Sequence, residues 1–218
     1  MESSGDSMTP VSIQANAVSK EFNRGLIFKD ISFSLSSPAS LSITGKNGAG
    51  KSTLSKILAG LLSSTRGSMT YVIGGKQIGI EEFKHHIGFV SPYLNLYDEF
   101  TAIENLEFLS RIRAAATPPV ERKKELLTLV GLWDRRDDAV GTFSSGMKQR
   151  LKYAFALLHH PEVLILDEPT SNLDEEGSEV IHRIIQEQKK SNILIVATNS
   201  KNESQWCTQQ VDLIPVKK

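Results

Sequence analysis

One cysteine in 218 residues, Cys207, excludes an intramolecular disulfide and leaves no thiolate quartet for a structural metal. That usage fits a reducing compartment. No charge of either sign is in excess. Lys and Arg number 25 and Asp and Glu number 25, so no global basic field draws the chain to nucleic acid. No apolar run approaches the roughly 20 residues that span a bilayer, so any work at a membrane needs a second chain to do the spanning. The opening MESSGDSMTPVS has no apolar h-region and is not a signal peptide. It reads as a loose leader over residues 1–10, with Met8 a candidate start. Repeats and low-complexity tracts are missing too. The pairs His85-His86 and His159-His160 are adjacent in sequence, so their side chains diverge on a helix and face opposite sides of a strand; neither makes a natural chelate.

What is present is a chain long enough to bury a sizeable core. Strand-like runs fall at Val11–Ala17, Ile31–Leu35, Leu41–Thr44, Met69–Ile73, Ile87–Val90, Val163–Leu166, Ile193–Thr198 and Val211–Val216. VLILD and ILIVAT are continuous apolar runs, as expected of parallel strands covered on both faces. Helical patterns occupy Lys51–Leu62, Thr101–Arg113, Val120–Val130, Ser145–His159 and Glu175–Lys190, with Thr101 and Glu104 in capping-box spacing. Strands alternating with helices predict an α/β layered fold. The stretch from about 101 to 160 is helix-rich without a convincing strand and reads as an inserted helical subdomain, broken by TPP at 117–119.

GKNGAGKST, residues 45–53, matches G-x-x-x-x-G-K-[ST] between the apolar strand LSIT and the helical run LSKILAGLL. Glycines let such a loop wrap phosphates with backbone N–H groups at a helix N-terminus. Gly45, Asn47, Gly48, Ala49, Gly50, Lys51, Ser52 and Thr53 are therefore the candidate nucleotide contacts. Lys51 is expected to neutralise β/γ oxygens and the Ser52 hydroxyl to ligate Mg²⁺. EVLILDEP ends a second apolar run in Asp167-Glu168, and carboxylates at such a strand end face the ligand crevice. Asp167 is the candidate Mg²⁺ partner, directly or through water. Glu168 is the candidate base or water-orienting residue.

The stretch FSSGMKQRLKYAFALLHHPEVLILDEPTSNLD, residues 143–174, carries a resemblance to the nucleotide-binding subunit of ABC transporters, which extends from about Val11 to Val216. Signature motif, its helix, Walker B and D-loop are similar in order and spacing. The resemblance implies a P-loop NTPase cassette: a RecA-like α/β core, an antiparallel β subdomain and the helical insertion, in one domain over 11–216. It implies ATP and Mg²⁺ as cofactors, hydrolysis by Glu168 and Lys51, and adenine stacked on Phe22. FSSGM stands for LSGGQ, so Ser144 and Gly146 would meet the γ-phosphate held by a second ATP-binding subunit, in a homodimer or with a sister chain. Asp174, after Leu173, would form the D-loop across that seam. Separate transmembrane permease subunits would receive the motion, with the chain peripheral on the cytoplasmic face of the inner membrane. YLNLYDEFTAIENL, residues 93–106, would border the groove for the membrane partner, although ordinary packing explains its apolar residues as well. LSITGKNGAGKSTLSKILAGLL and TAIENLEFL are similar to the haem-exporter, cytochrome-c-maturation type.

Two positions depart from the family pattern. Pro92 stands where the Q-loop glutamine is expected and offers neither a side-chain oxygen nor an N–H; Ser91, Tyr93 and Asn95 are the nearby substitutes. Asn199, in NILIVATNSK, stands where the switch histidine is expected, and is the third candidate catalytic residue. It can donate a neutral hydrogen bond but cannot titrate near neutral pH. A soluble non-transport ABC ATPase and a weakly hydrolysing, ATP-dependent dimerisation clamp are the alternative readings.

Overall fold

Two long strands, β1 (Val11–Phe22) and β2 (Gly25–Ser36), lead into β3 (Ala39–Thr44) and, past the glycine-rich turn, helix α1 (Lys51–Leu58). The chain then forms β4 (Arg66–Ile73), β5 (Lys76–Ile78), the short α2 (Ile80–Phe83) and β6 (Ile87–Val90). Helices α3 (Ala102–Ala114), α4 (Val120–Leu129) and α5 (Ser145–Ala156) follow, with no strand described between them, before β7 (Val163–Asp167). Helix α6 (Glu175–Ser191), β8 (Ile193–Ala197), α7 (Lys201–Ser204) and β9 (Gln209–Asp212) come last. The structure is a computed structural model that describes residues 9–23, 25–114 and 119–214. Of the leader expected over 1–10, residues 1–8 lie outside the described residues, as do two residues of the TPP break, 117–118, and the end of the last expected strand, 215–216.

An antiparallel sheet of order β2-β1-β4-β5 packs beside a parallel sheet of order β6-β7-β8-β3-β9. In β1, Val11, Ile13 and Ala15 point inward with period two. A bulge at Ala17, whose φ is 48°, shifts the register so that Val18 also faces the core. This bulge carries β1 past the predicted end at Ala17 to Phe22.

Every residue of β7 and β8 is buried, because the parallel sheet is covered on both faces. Val163, Ile165, Ile193 and Ile195 join Leu54 and Leu58 of α1 and Ile13 of β1 in one core. Leu164, Leu166, Leu194 and Val196 join Leu151 of α5 and Ile181 and Ile185 of α6 in the other. Burial of each such side chain contributes roughly 1.5–3 kcal/mol, so alternate residues of these two strands bond the two layers together.

Element ends differ from the sequence reading where backbone geometry intervenes. Helix α1 stops at Leu58 rather than Leu62, since Gly60 takes φ 69° and a Cβ there would lie 2.6 Å from Ile80. Helix α5 stops at Ala156 rather than His159, and His160 takes φ 49°. The last strand is Gln209–Asp212, set by its pairing with Leu41–Thr44 of β3, rather than Val211–Val216.

Candidate functional site

Parallel strands deliver their C-terminal ends to one edge of the sheet, and the register here does so level by level. Ala197 of β8 pairs with Asp167 of β7 on one side and Ile43 of β3 on the other. One step further, the Glu168 N–H donates to the Ala197 carbonyl at 2.9 Å and the Thr198 N–H to the Ile43 carbonyl at 3.0 Å. The glycine-rich loop, Asp167-Glu168 and Thr198-Asn199 therefore emerge side by side.

In the loop, Gly45 takes φ 142° and a Cβ there would lie 2.6 Å from the Leu213 carbonyl oxygen; only glycine fits. Gly50, at φ 101°, caps α1 with no side-chain bond, which leaves the first-turn N–H groups of the helix available to an anion. Lys51 is 6% exposed. Its ammonium donates to the carbonyls of Gly45 at 3.0 Å and Lys46 at 3.4 Å and lies 3.9 Å from Glu168 Oε1. The Ser52 hydroxyl donates to Asp167 Oδ1 at 3.1 Å.

Asp167 is fully buried, and its second oxygen, Oδ2, has no hydrogen-bond partner among the described residues. Leaving a buried carboxylate oxygen unpaired costs about 1–3 kcal/mol or more. Burial raises the Asp167 pKa, against the Ser52 bond and the ammonium groups of Lys56 and Lys51. A buried carboxylate with a free oxygen beside a serine hydroxyl is a donor set that suits a hard divalent cation such as Mg²⁺. Glu168 sits at φ 53°, in the left-handed region that costs a non-glycine residue about 1 kcal/mol or more, with its side chain 31% exposed. Burial pushes its carboxyl above the ordinary glutamate range; Lys51 opposes this, while Glu203 and Asp167 add to it. A carboxylate shifted toward neutrality is the better proton acceptor at neutral pH.

Asn199 donates its side-chain amide to Asn47 Oδ1 at 3.0 Å, joining the strand end to the glycine-rich loop. Lys51, Ser52, Asn47, Asp167, Glu168 and Asn199 are thus brought together. Phe22 stands at the end of β1, 45% exposed, with the Lys20 ammonium 4.6 Å over its ring. Ser144 and Gly146 make their contacts elsewhere. Ser144 is the N-cap of α5 and accepts from the Met147 N–H at 3.2 Å, while a Cβ on Gly146 would lie 3.2 Å from the Asn172 carbonyl oxygen. Asp174 is the N-cap of α6, accepting from the Gly177 N–H at 2.8 Å.

After β6, the Ser91 hydroxyl accepts from the Tyr93 N–H at 3.3 Å. Tyr93, 69% exposed, has the Lys56 ammonium 4.7 Å over its ring. The Lys152 ammonium of α5 donates to the carbonyls of Ser91 and Pro92 at 3.3 and 3.2 Å, and burial lowers its pKa. Sequence reasoning missed Lys152 because its partners lie about 60 residues away. It also missed Glu203, although Ser200-Lys-Asn-Glu203 has the S-x-x-E spacing of a helix start. Cys207 is partly buried and its thiol is pushed up to about 12, mainly by burial, which makes it a poor nucleophile.

Fold and site define a P-loop ATPase cassette: a parallel sheet delivering a glycine-rich phosphate loop, an acidic strand end and a polar strand end to one edge. The family model for the ABC transporter matches residues 28–171, and the chain belongs to that family as an ATP-binding subunit. It is 36% identical over 190 residues to the linearmycin resistance ATP-binding protein LnrL of Bacillus subtilis, covering 86% of this chain and 60% of that protein. It is also 36% identical over 183 residues to the Nod factor export ATP-binding protein I of Rhizobium leguminosarum bv. viciae, covering 83% and 58%. The chain thus spans about three fifths of the length of these two relatives. Over 221 residues it is 31% identical to the lipoprotein-releasing system ATP-binding protein LolD 2 of Rhodospirillum rubrum, covering 95% of each. Among solved structures, an ATP-binding subunit of an ABC transporter superposes with a TM-score of 0.79 at 25% identity, over 92% of this chain and 85% of that one. A dimeric bacterial ABC transporter cassette superposes with a TM-score of 0.81 at 24% identity, over 92% and 94%, and shows the shared fold.

Proposed function

We propose that this subunit hydrolyses ATP at a site shared with a second ATP-binding subunit and transmits the resulting motion to separate membrane-spanning subunits. The observation that carries the hydrolytic reading is Glu168, a partly buried carboxylate with a raised pKa, 3.9 Å from the Lys51 ammonium at the mouth of the phosphate loop. Lys51 exchanges its loop carbonyls for the β/γ oxygens of ATP, and Asn47, Gly48 and the first-turn N–H groups of α1 surround them. Ser52 and Asp167 hold Mg²⁺, which supplies charge neutralisation on the phosphate oxygens when bound. Glu168 orients the attacking water and accepts its proton as the water oxygen bonds to the γ-phosphorus and the bond to the β,γ-bridging oxygen breaks, leaving ADP. Asn199 donates toward the γ-phosphate in place of a histidine. Phe22 stacks on adenine. Ser144 and Gly146, at the N-terminus of α5, approach the γ-phosphate of the opposing subunit with Asp174 at the same seam.

No helix among the described residues is long and apolar enough to cross a bilayer. One feature supports the membrane partner. A groove of about 470 Å³, lined by Leu61, Ile87, Phe89, Leu94 and Phe155 together with Glu81, Lys84 and His85, takes Leu94 from the 93–106 segment and offers a seat for a partner's helix. The subunit then works at the cytoplasmic membrane face. The test of the hydrolytic reading is Glu168→Gln. This variant keeps ATP binding, loses nearly all turnover and accumulates an ATP-bound dimer in size-exclusion chromatography; near-parental hydrolysis removes Glu168 from the mechanism.

A further inference from the structure

Glu203 is a carboxylate in α7, 6% exposed, that enters the chemistry above only through its charge, which adds to the raised pKa of Glu168. Oε1 accepts the hydroxyl of Thr170, two residues beyond Glu168, and Oε2 accepts the hydroxyl of Thr198, the residue before Asn199. Thr198 Oγ1 in turn accepts the Ser200 N–H at 2.9 Å, and Ser200 Oγ accepts the Glu203 N–H at 3.4 Å. From the other side, the buried Tyr153 hydroxyl donates to the Pro169 carbonyl at 2.9 Å.

Glu203 thus follows only half of the capping-box pattern. Thr101 and Glu104 close both halves, at 2.8 and 3.2 Å, because that glutamate turns back to the Thr101 N–H. Glu203 instead turns inward. Burying a carboxylate is costly unless its oxygens are bonded, and here both are bonded to hydroxyls from two different loops. Those loops follow β7 and β8, and they carry Glu168 and Asn199. Glu168 sits in the left-handed region at φ 53°, so its backbone needs outside support to keep its aim.

We propose that Glu203 is a positioning residue for hydrolysis, a two-armed brace that fixes the Glu168–Thr170 turn against the Thr198–Asn199 loop so that both address one phosphate. This role rests on the hydrolytic reading. Displacing a catalytic group by about 1 Å costs about 10²-fold in rate, whereas nucleotide affinity is set mainly by the loop at 45–53.

The experiment compares the parent with Glu168→Gln, Glu203→Ala, Glu203→Asp and Glu203→Gln, measuring steady-state kcat and KM for MgATP with thermal melts of each. Glu203→Ala lowers kcat about 10–100-fold with KM within about 3-fold of the parent. Glu203→Gln recovers most of kcat, since its amide can accept from one threonine and donate to the other. Glu203→Asp retains the charge but is one methylene too short to reach both hydroxyls; it lowers kcat likewise and carries the test if the alanine variant does not melt cooperatively. Parental kcat in Glu203→Ala, or equal losses in Glu203→Ala and Glu203→Gln, overturns the brace while Glu168→Gln still reports on the hydrolytic reading. A parent that binds MgATP without turnover overturns both.

Discussion

Asn199 stands where the resemblance implies a histidine and, unlike Pro92, keeps a side-chain hydrogen-bond donor. Its amide donates to Asn47 at 3.0 Å, so the donor is held against the glycine-rich loop. A neutral amide supplies a hydrogen bond without a charge or a pKa near 7, so this position adds no histidine limb to the pH dependence of turnover. Removing one preorganised donor facing transition-state charge typically costs about 10²–10³-fold. Asn199→Ala is expected to fall in kcat by that order in a coupled-enzyme ATPase assay; unchanged turnover leaves the residue a structural tie to Asn47. Lys51, Ser52, Asp167 and Glu168 were legible as candidates because local spacing and strand ends announce them. The orphaned Asp167 oxygen was not legible, since it depends on what every neighbouring element leaves unbonded.

At the scale of elements, the N-caps connect local sequence to the packing of whole helices. Asp174 caps α6 through the Gly177 N–H, and α6 carries four isoleucines and valines into the core beneath β7 and β8: Val180, Ile181, Ile184 and Ile185. Asp174→Ala is expected to lower stability by about 1 kcal/mol, read as an earlier urea midpoint, whereas Asp174→Asn keeps the cap and stays near the parent. Equal midpoints for all three proteins would show that the cap contributes nothing. Strand type and the Thr101–Glu104 capping box were legible from period and spacing. The bulge at Ala17 and the stop at Gly60 were not, because each depends on close contact with another element: Ala17 backbone atoms lie within 2.5 Å of a Cβ placed on Gly67, and Ile80 blocks one on Gly60. The same spacing at Ser200–Glu203 predicts a helix start but not the inward turn of the glutamate, whose partner Thr170 is 33 residues away.

For the whole molecule, the groove at Leu61, Phe89, Leu94 and Phe155 shares no lining residue with the candidate nucleotide site. An aspartate in place of Leu61 or Phe155 breaks the apolar part of this groove, which Glu81, Lys84 and His85 also line, and disfavours an apolar helix there. Leu61→Asp with Phe155→Asp is expected to leave MgATP affinity within about 2-fold and to abolish co-purification with the membrane subunit from detergent extracts. Retained co-purification would move the docking site elsewhere. Tyr97 and Phe100 stack at 5.4 Å, Phe108 of α3 meets both edge-on at 5.0 and 5.5 Å, and the buried Asn105 amide bonds the Tyr97, Phe100 and Thr101 carbonyls, so local packing accounts for these two aromatics of the 93–106 segment.

By itself the sequence determined the phosphate loop, the acidic and polar strand ends, the alternation that builds a two-sided parallel sheet, and the family, because each is written in short-range spacing or in the order of motifs. Only the tertiary structure decided that Ala197 sits level with Ile43 and Asp167, that Asn199 bonds Asn47, that Lys152 ties down the Ser91–Pro92 backbone, and that Glu203 joins two loops. Those contacts depend on strand register and on the path of elements far apart in the chain, and periodicity carries no information about which distant residue arrives opposite which.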